Sequence, residues 1–115
     1  MRTLELLAPA KNLEIGKAAI DHGADAVYIG APRFGARAAA GNSVADIAEL
    51  CQYAHRFGAR VHVTVNTIIY DEDLDLMRHI CRAAREAGIS AVIASDVAVM
   101  AYCREIGQEV HLSTQ

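Results

Sequence analysis

Two short segments of this chain place imidazole, hydroxyl and amide side chains at every second position. In residues 61–66 the polar positions are His62, Thr64 and Asn66, and in residues 110–115 they are His111, Ser113 and Gln115. An imidazole beside a hydroxyl group pairs a general base with a nucleophile, and two imidazoles with the carboxylate of Glu5 are ligands that suit a metal ion. No third group of a catalytic triad is evident, and the three metal-binding candidates lie on separate predicted strands. We therefore assign no metal site and leave the catalytic residues open.

The alternation predicts that both segments are β-strands with two chemically different faces. The flanking segments have helical periodicity, so the strands belong to a parallel sheet, where strands are normally apolar on both faces because helices cover both sides. A polar face is unusual in such a sheet. It is accommodated if the sheet curls towards a barrel, with valines such as Val63 beneath the outer helices and His62 directed inwards.

A repeating unit supplies the elements that hold these strands. Each unit has a β-branched run, a turn, an amphipathic helix and a glycine that ends the helix, and the four glycines are Gly23, Gly58, Gly88 and Gly107. The predicted strands cover residues 4–8, 26–30, 61–66, 91–94 and 110–115, and the helices begin after the caps Asn12, Ser43, Asp71 and Asp96. The pattern predicts an α/β fold with five parallel strands in the order 1-2-3-4-5 and four helices on the outer face.

Further polar residues have two interpretations each. Glu5 lies in an apolar strand, where an isolated carboxylate would be costly, so it is either a site residue or half of a buried ion pair. The longest connection holds Arg33, Phe34 and Arg37, which can bind an anion or a planar group but also fit a loop with two solvated arginines. Asp96 either caps a helix or serves a site, because it stands at the C-terminal end of a strand.

The composition narrows the class of protein. With 115 residues and 53% hydrophobic side chains, the chain is one domain or part of one, and its net charge of −3 gives no bulk attraction to nucleic acid or anionic membranes. No apolar run approaches the roughly 18–20 residues of a membrane span, and the first residues lack a signal peptide. We predict a cytoplasmic protein with no membrane partner. Cys51, Cys81 and Cys103 stand singly in helical patterns, which predicts buried thiols.

Several linked motifs resemble one family along the whole chain. They are Glu5-Leu6-Leu7-Ala8-Pro9-Ala10, Asp25-Ala26-Val27-Tyr28-Ile29-Gly30 with Phe34 and Arg37, Val63-Thr64-Val65-Asn66-Thr67, and His111-Leu112-Ser113-Thr114-Gln115. In this order they resemble the N-terminal part of the collagenase-like proteases, peptidase family U32. The resemblance implies a TIM-type barrel, of which residues 1–115 would form the N-terminal half as a single domain, and we expect the chain to be truncated.

The resemblance also implies the chemistry of a parent protein. That protein would be a peptidase, hence a hydrolase, and we expect this N-terminal fragment to be inactive alone. For the family members that hydroxylate tRNA, ribosomal RNA or ubiquinone precursors without oxygen, the resemblance implies instead an iron–sulfur cluster held by cysteines of a later segment, with no cofactor in this one. A third alternative is a purely structural fragment. A peptide or RNA would be a substrate of the complete parent only.

Most positions that match the family's motifs lie on inner strand faces or at C-terminal strand ends, which is where barrel enzymes build their sites. The resemblance and the inner-face pattern together give the candidate substrate-binding residues. They are Glu5, Tyr28, Arg37, His62, Thr64, Asn66, His111, Ser113 and Gln115. We expect Val61, Val63, Val65, Val110 and Leu112 to contact helices instead. Because half a barrel has two open edge strands, we also predict a homo-oligomer that covers these edges.

Overall fold

The computed structural model describes residues 5–32, 42–65 and 69–113. Strands and helices alternate along these ranges, as the repeating unit predicted. The strands are β1 (Leu7–Ala10), β2 (Ala26–Gly30), β3 (Arg60–Val65), β4 (Ala91–Ala94) and β5 (Val110–Leu112). The helices are α1 (Leu13–Asp21), α2 (Val44–Arg56), α3 (Leu74–Ala87) and α4 (Val97–Glu105), and a short 3-10 turn, Asp71–Asp73, precedes α3.

The five strands form one parallel sheet in the order β1-β2-β3-β4-β5. This order confirms the prediction and differs from that of a flavodoxin-like sheet, in which the first strand lies between later ones. The helices contact each other in the same sequence, α1 with α2, α2 with α3 and α3 with α4. Consecutive right-handed crossovers place helices on one side of a sheet in this way, so the other side is left for a site.

Burial along β3 alternates as the two-faced pattern requires. Val61, Val63 and Val65 are buried in the hydrophobic core under the helices, whereas His62 and Thr64 are only half-buried. We call the face that carries His62 and Thr64 the inner face. The rest of the core comes from the other strands and the inner sides of the helices, and it includes Val27, Ile29, Ile47, Leu50, Met77, Val92, Val99 and the three cysteines.

Side-chain caps at Asn12, Ser43 and Asp96 fix the starts of α1, α2 and α4. The Asn12 side chain accepts a hydrogen bond from the amide of Ile15 at 2.9 Å, and Ser43 accepts one from Asp46 at 3.0 Å, as predicted. The prediction for Asp71 was wrong, because residues 71–73 form the 3-10 turn and no side chain caps the start of α3. A 3-10 turn satisfies part of the first turn with its own backbone bonds, so the carboxylate is not needed.

Gly88 ends α3 in the left-handed conformation, with φ at +101°. A Cβ atom at this position would also lie 2.8 Å from the ring of His55, whose Nε2 donates to the Gly88 carbonyl at 3.1 Å. Glycine is therefore required here by backbone conformation and by space together. The contact joins the C-terminal ends of α2 and α3.

Two strand predictions need correction. The first strand was predicted at residues 4–8 and ended by Pro9, but β1 spans Leu7–Ala10 and includes Pro9. β1 is an edge strand, where a proline removes no hydrogen bond from the sheet interior. Leu112 was expected beneath a helix, but it is 66% exposed, because β5 is the last strand and no described helix follows to cover it. Val110, by contrast, packs against the core as expected.

Leucines are exposed at both edges of the sheet. Leu7 on β1 is 49% exposed and Leu112 on β5 is 66% exposed. An uncovered edge strand with apolar side chains is a surface that proteins normally cover. Association through these edges nevertheless stays a prediction.

Within the described ranges, no helix has both the length and the apolar content to cross a membrane.

Candidate inner-face site

The register of the sheet brings the inner-face polar residues of neighbouring strands side by side. Tyr28 on β2 is level with His62 on β3, and Gly30 is level with Thr64. On the far side, Ile93 of β4 separates Thr64 from His111 of β5. Parallel strands with this register align their C-terminal ends, which is where barrel enzymes build their sites.

His62 is the most enclosed imidazole of this face. Its Nδ1 atom is buried and has no hydrogen-bond partner among the described residues. Burial lowers the pKa of His62 below its ordinary value, and the nearby positive charge of Arg60 lowers it further. His62 is therefore held in its neutral form. A buried ring nitrogen without a partner costs on the order of 1–3 kcal/mol, and native structures contain few of them.

His111 contacts a carboxylate that is not among the candidates from the sequence. Its Nε2 lies 2.6 Å from Oε2 of Glu109, the residue before β5, and its ring centre lies 6.2 Å from that of His62. A carboxylate and an imidazole are two of the three residue types of a catalytic triad, and here 66% and 53% of the two side chains are exposed. The signal was present in the sequence, because Glu109 continues the alternate spacing of His111 and Ser113 by one step.

Glu5 lies at the other end of the sheet. Its carboxylate forms an ion pair with the guanidinium of Arg60, and both side chains are about half exposed. This bears out the ion-pair alternative in part, although the pair is not buried. Since Arg60 begins β3 and Thr64 lies four residues further along, the ion pair is roughly 13 Å from the C-terminal end of the inner face. Barrel enzymes build their sites at the C-terminal ends of the strands, so this position favours the ion-pair interpretation of Glu5.

Two polar residues at the C-terminal end hold the framework. Asp96 caps α4 by accepting from Ala98 N at 2.7 Å and ties down the segment after β3 by accepting from Ile69 N at 3.1 Å. Asn42 is buried and donates to the carbonyl of Gly30 at 3.1 Å. Both carboxylate oxygens of Asp96 are thus engaged by backbone amides, which favours the capping role over a catalytic one.

The remaining candidates have different outcomes. Ser113 is half-buried just after β5, and its amide donates to the Ala94 carbonyl at 2.7 Å. Arg37, Asn66 and Gln115 lie outside the described residues, as does most of the arginine-bearing connection after β2. The substrate-binding role of all nine candidates stays a prediction.

The cysteines lie away from this face. Cys51, Cys81 and Cys103 are buried under the helices, and burial raises the pKa of Cys51 to about 11. The hydrogen bond between the thiols of Cys81 and Cys103 raises the pKa of Cys81 and lowers that of Cys103. Across the described ranges, no group of three histidine, cysteine or acidic side chains is arranged to hold a metal ion. The three thiols therefore fit buried core residues, as predicted.

A family model identifies the lineage of the chain. The model of peptidase family U32 matches residues 11–115. The chain belongs to peptidase family U32. The resemblance stated above is thereby confirmed, and the inner face described here is that of a family U32 protein.

Curated members of the family carry names of two kinds. The chain is 47% identical over 113 residues to the 23S rRNA 5-hydroxycytidine synthase of Escherichia coli, a match that covers 97% of this chain and 17% of that protein. It is 48% identical over 113 residues to a collagenase of Porphyromonas gingivalis (96% and 27%) and 40% identical over 114 residues to the tRNA hydroxylation protein P1 of Bacillus subtilis (96% and 27%). The chain thus spans little more than a quarter of these relatives at most.

A solved structure supports the fold. The chain resembles 2,3-dimethylmalate lyase, a member of the PEP mutase/isocitrate lyase superfamily, with a TM-score of 0.56 over 94% of this chain and 45% of the lyase. The lyase is of the TIM-barrel type, so the five-stranded open sheet is a partial TIM barrel. At 14% sequence identity the likeness concerns the fold alone.

Proposed function

We propose that this chain forms part of the substrate-binding wall of a barrel enzyme that hydroxylates bases in RNA. The observation that carries the proposal is the composition of the inner face. It presents the aromatic ring of Tyr28, the neutral imidazole of His62 and the hydroxyl of Thr64, while all three thiols of the chain are buried on the helix side of the sheet. Hydroxylation of RNA requires a wall that recognises a base, and it requires no nucleophile from that wall.

Aromatic and neutral polar side chains are the usual means of recognising an RNA base. An unstacked base lies against an aromatic ring and has its edge hydrogen-bonded by side chains. The names of the relatives from E. coli and B. subtilis agree with such a substrate. The net charge of −3 means that phosphate contacts must be local, and the arginines of the connection after β2 are our candidates. With an RNA substrate, the cytoplasm is the compartment we propose for the protein.

The iron–sulfur cluster that the family resemblance implies does not fit the described cysteines. A cluster needs several cysteine ligands around one point. Cys81 on α3 and Cys103 on α4 contact each other, but no described His, Cys, Asp or Glu side chain joins them as a third ligand, and all three cysteines lie within the hydrophobic core. We derive no step through such a cluster, and its ligands would have to come from another part of the protein.

A peptidase is the second candidate, and one observation favours it. The Glu109 carboxylate orients the His111 imidazole, and Ser113 follows two residues later on the same strand. These are the residue types of an acid, base and nucleophile. The collagenase name of the P. gingivalis relative agrees with this reading.

Mass spectrometry of nucleosides separates the two candidates. We would delete the gene that encodes this chain, digest total tRNA and ribosomal RNA, and search for a nucleoside that loses one oxygen atom, roughly 16 Da. The proposal predicts that the hydroxylated nucleoside disappears and returns with the wild-type gene. An unchanged nucleoside profile, together with gelatin hydrolysis that Ser113→Ala abolishes in the purified protein, would replace our proposal with the peptidase.

A further inference from the structure

We propose that the inner face contains a slot for one unpaired RNA base, which we call the base slot and define as Tyr28, Gly30, His62 and Thr64. This inference rests on the proposed function and adds the form of the substrate: a single nucleotide outside a duplex. It assigns to Gly30 the role of leaving the space that the base enters.

The surroundings of Gly30 show that the fold does not require a glycine there. Its backbone is not in the left-handed region, and among the described residues a Cβ atom would meet only the Thr64 hydroxyl, at the ordinary contact distance of 3.8 Å. Gly16 is a contrast, because a Cβ atom there would lie 2.9 Å from the Leu50 side chain. No other described residue fills the space that a side chain at Gly30 would occupy beside Thr64, at the C-terminal end of β2.

The size of this space suits a flat ligand. Neighbouring strands lie about 4.8 Å apart, so the absence of one side chain opens a gap about one strand wide. Gly30 is held in place, because its carbonyl accepts from buried Asn42. Tyr28 borders the gap two residues before Gly30 on β2, and Thr64 borders it opposite Gly30 on β3. His62 lies opposite Tyr28. An aromatic ring and two hydrogen-bonding groups around a flat gap match the face and the edge of a base.

The hydrogen bonding of the sheet argues against an extended peptide in the same place. Peptides that bind sheets usually do so by adding a strand to an open edge through backbone hydrogen bonds. The backbones of β2 and β3 are already paired on both sides, β2 with β1 and β3, and β3 with β2 and β4. Only side chains remain available on the inner face. A duplex is also excluded by shape, because a base must leave the stack to enter such a slot.

The test is a binding measurement on the full-length protein that contains this chain. The probes are a cytidine-containing hairpin RNA with the cytidine either unpaired in the loop or paired in the stem, and a collagen-like peptide. Gly30→Val fills the slot, Gly30→Ala fills it in part, and Leu7→Phe adds bulk to the same face of β1 at the opposite end of the strands. Circular dichroism checks that each variant is folded, and Gly30→Ala serves if Gly30→Val does not fold.

The inference predicts that the wild-type protein binds the RNA with the loop cytidine more tightly than the RNA with the paired cytidine. Binding of the loop RNA should be at least tenfold weaker with Gly30→Val and about threefold weaker with Gly30→Ala. Leu7→Phe should change it by less than twofold. Equal binding of loop RNA by wild type and both Gly30 variants would overturn the base slot and leave RNA hydroxylation standing. Binding of the peptide without binding of either RNA would overturn the proposed function and the base slot together.

Discussion

Replacing Val63 or Thr64 by alanine tests which face of β3 belongs to the core. Val63 is 1% exposed, and its replacement removes two buried carbon groups. At about 0.8 kcal/mol for each buried methylene, the transfer term is about 1.6 kcal/mol, and the cavity raises the expected loss to roughly 2–3 kcal/mol. Thr64 is only half-buried on the inner face, so Thr64→Ala should cost about 1 kcal/mol or less.

The assay is equilibrium unfolding in urea, followed by circular dichroism. The two variants should share the wild-type dependence on urea and differ only in midpoint, because neither changes the surface exposed on unfolding by much. The expected gap of about 1–2 kcal/mol corresponds to a factor of about 5–30 in the folding equilibrium. A larger loss for Thr64→Ala than for Val63→Ala would refute the assignment of the two faces, and every candidate on the inner face would fall with it.

Four further predictions concern other contacts. Asp96→Ala should lower the free energy of unfolding by about 2 kcal/mol, about half from the lost cap and half from the lost bond to Ile69, and no loss in urea unfolding would contradict the capping role. Because burial holds the pKa of His62 below its ordinary 6.5, the unfolded chain binds more protons as the pH falls below about 6.5, and stability declines there. His62→Gln should make this decline shallower in unfolding curves measured at several pH values, and an identical decline would contradict the buried neutral imidazole. Ellman's reagent should titrate fewer than one thiol in the native chain and all three in denaturant, whereas rapid native reaction of Cys51 would contradict its burial. Light scattering should show an oligomer at tens of micromolar that Leu112→Lys disperses, and a wild-type monomer would count against covered sheet edges.

The fold followed closely from the sequence because its signals are local. The helix-ending glycines and the caps at Asn12 and Ser43 act within one turn of chain, and the structure confirms them. The wrong predictions for Asp71 and Pro9 arose because the residue type suggests one local structure while the backbone adopts another. Asp71 has the chemistry of a cap, but a 3-10 turn takes its place, and Pro9 has the chemistry of a strand end but lies on an edge that needs no donor.

The site was less predictable because it depends on register and on what surrounds each residue. The pairing of Glu5 with Arg60 joins β1 and β3 across β2, and no spacing along the chain reports such a contact. The open space at Gly30 is likewise a property of its neighbours, since a glycine in a strand has several possible reasons. Glu109 is different, because the alternate spacing could have identified it as the partner of His111.

Cross-linking tests the central claim, that RNA binds the inner face, most directly. A hairpin RNA that carries 4-thiouridine at the unpaired loop position would be bound to the full-length protein and irradiated. The complex would then be digested, and the cross-linked peptides would be identified by mass spectrometry. We predict that, within this chain, the cross-links fall on β2 and β3, in the peptides that contain Tyr28 and His62. Cross-links confined to the helix side, such as the exposed face of α2 or α3, would contradict the claim.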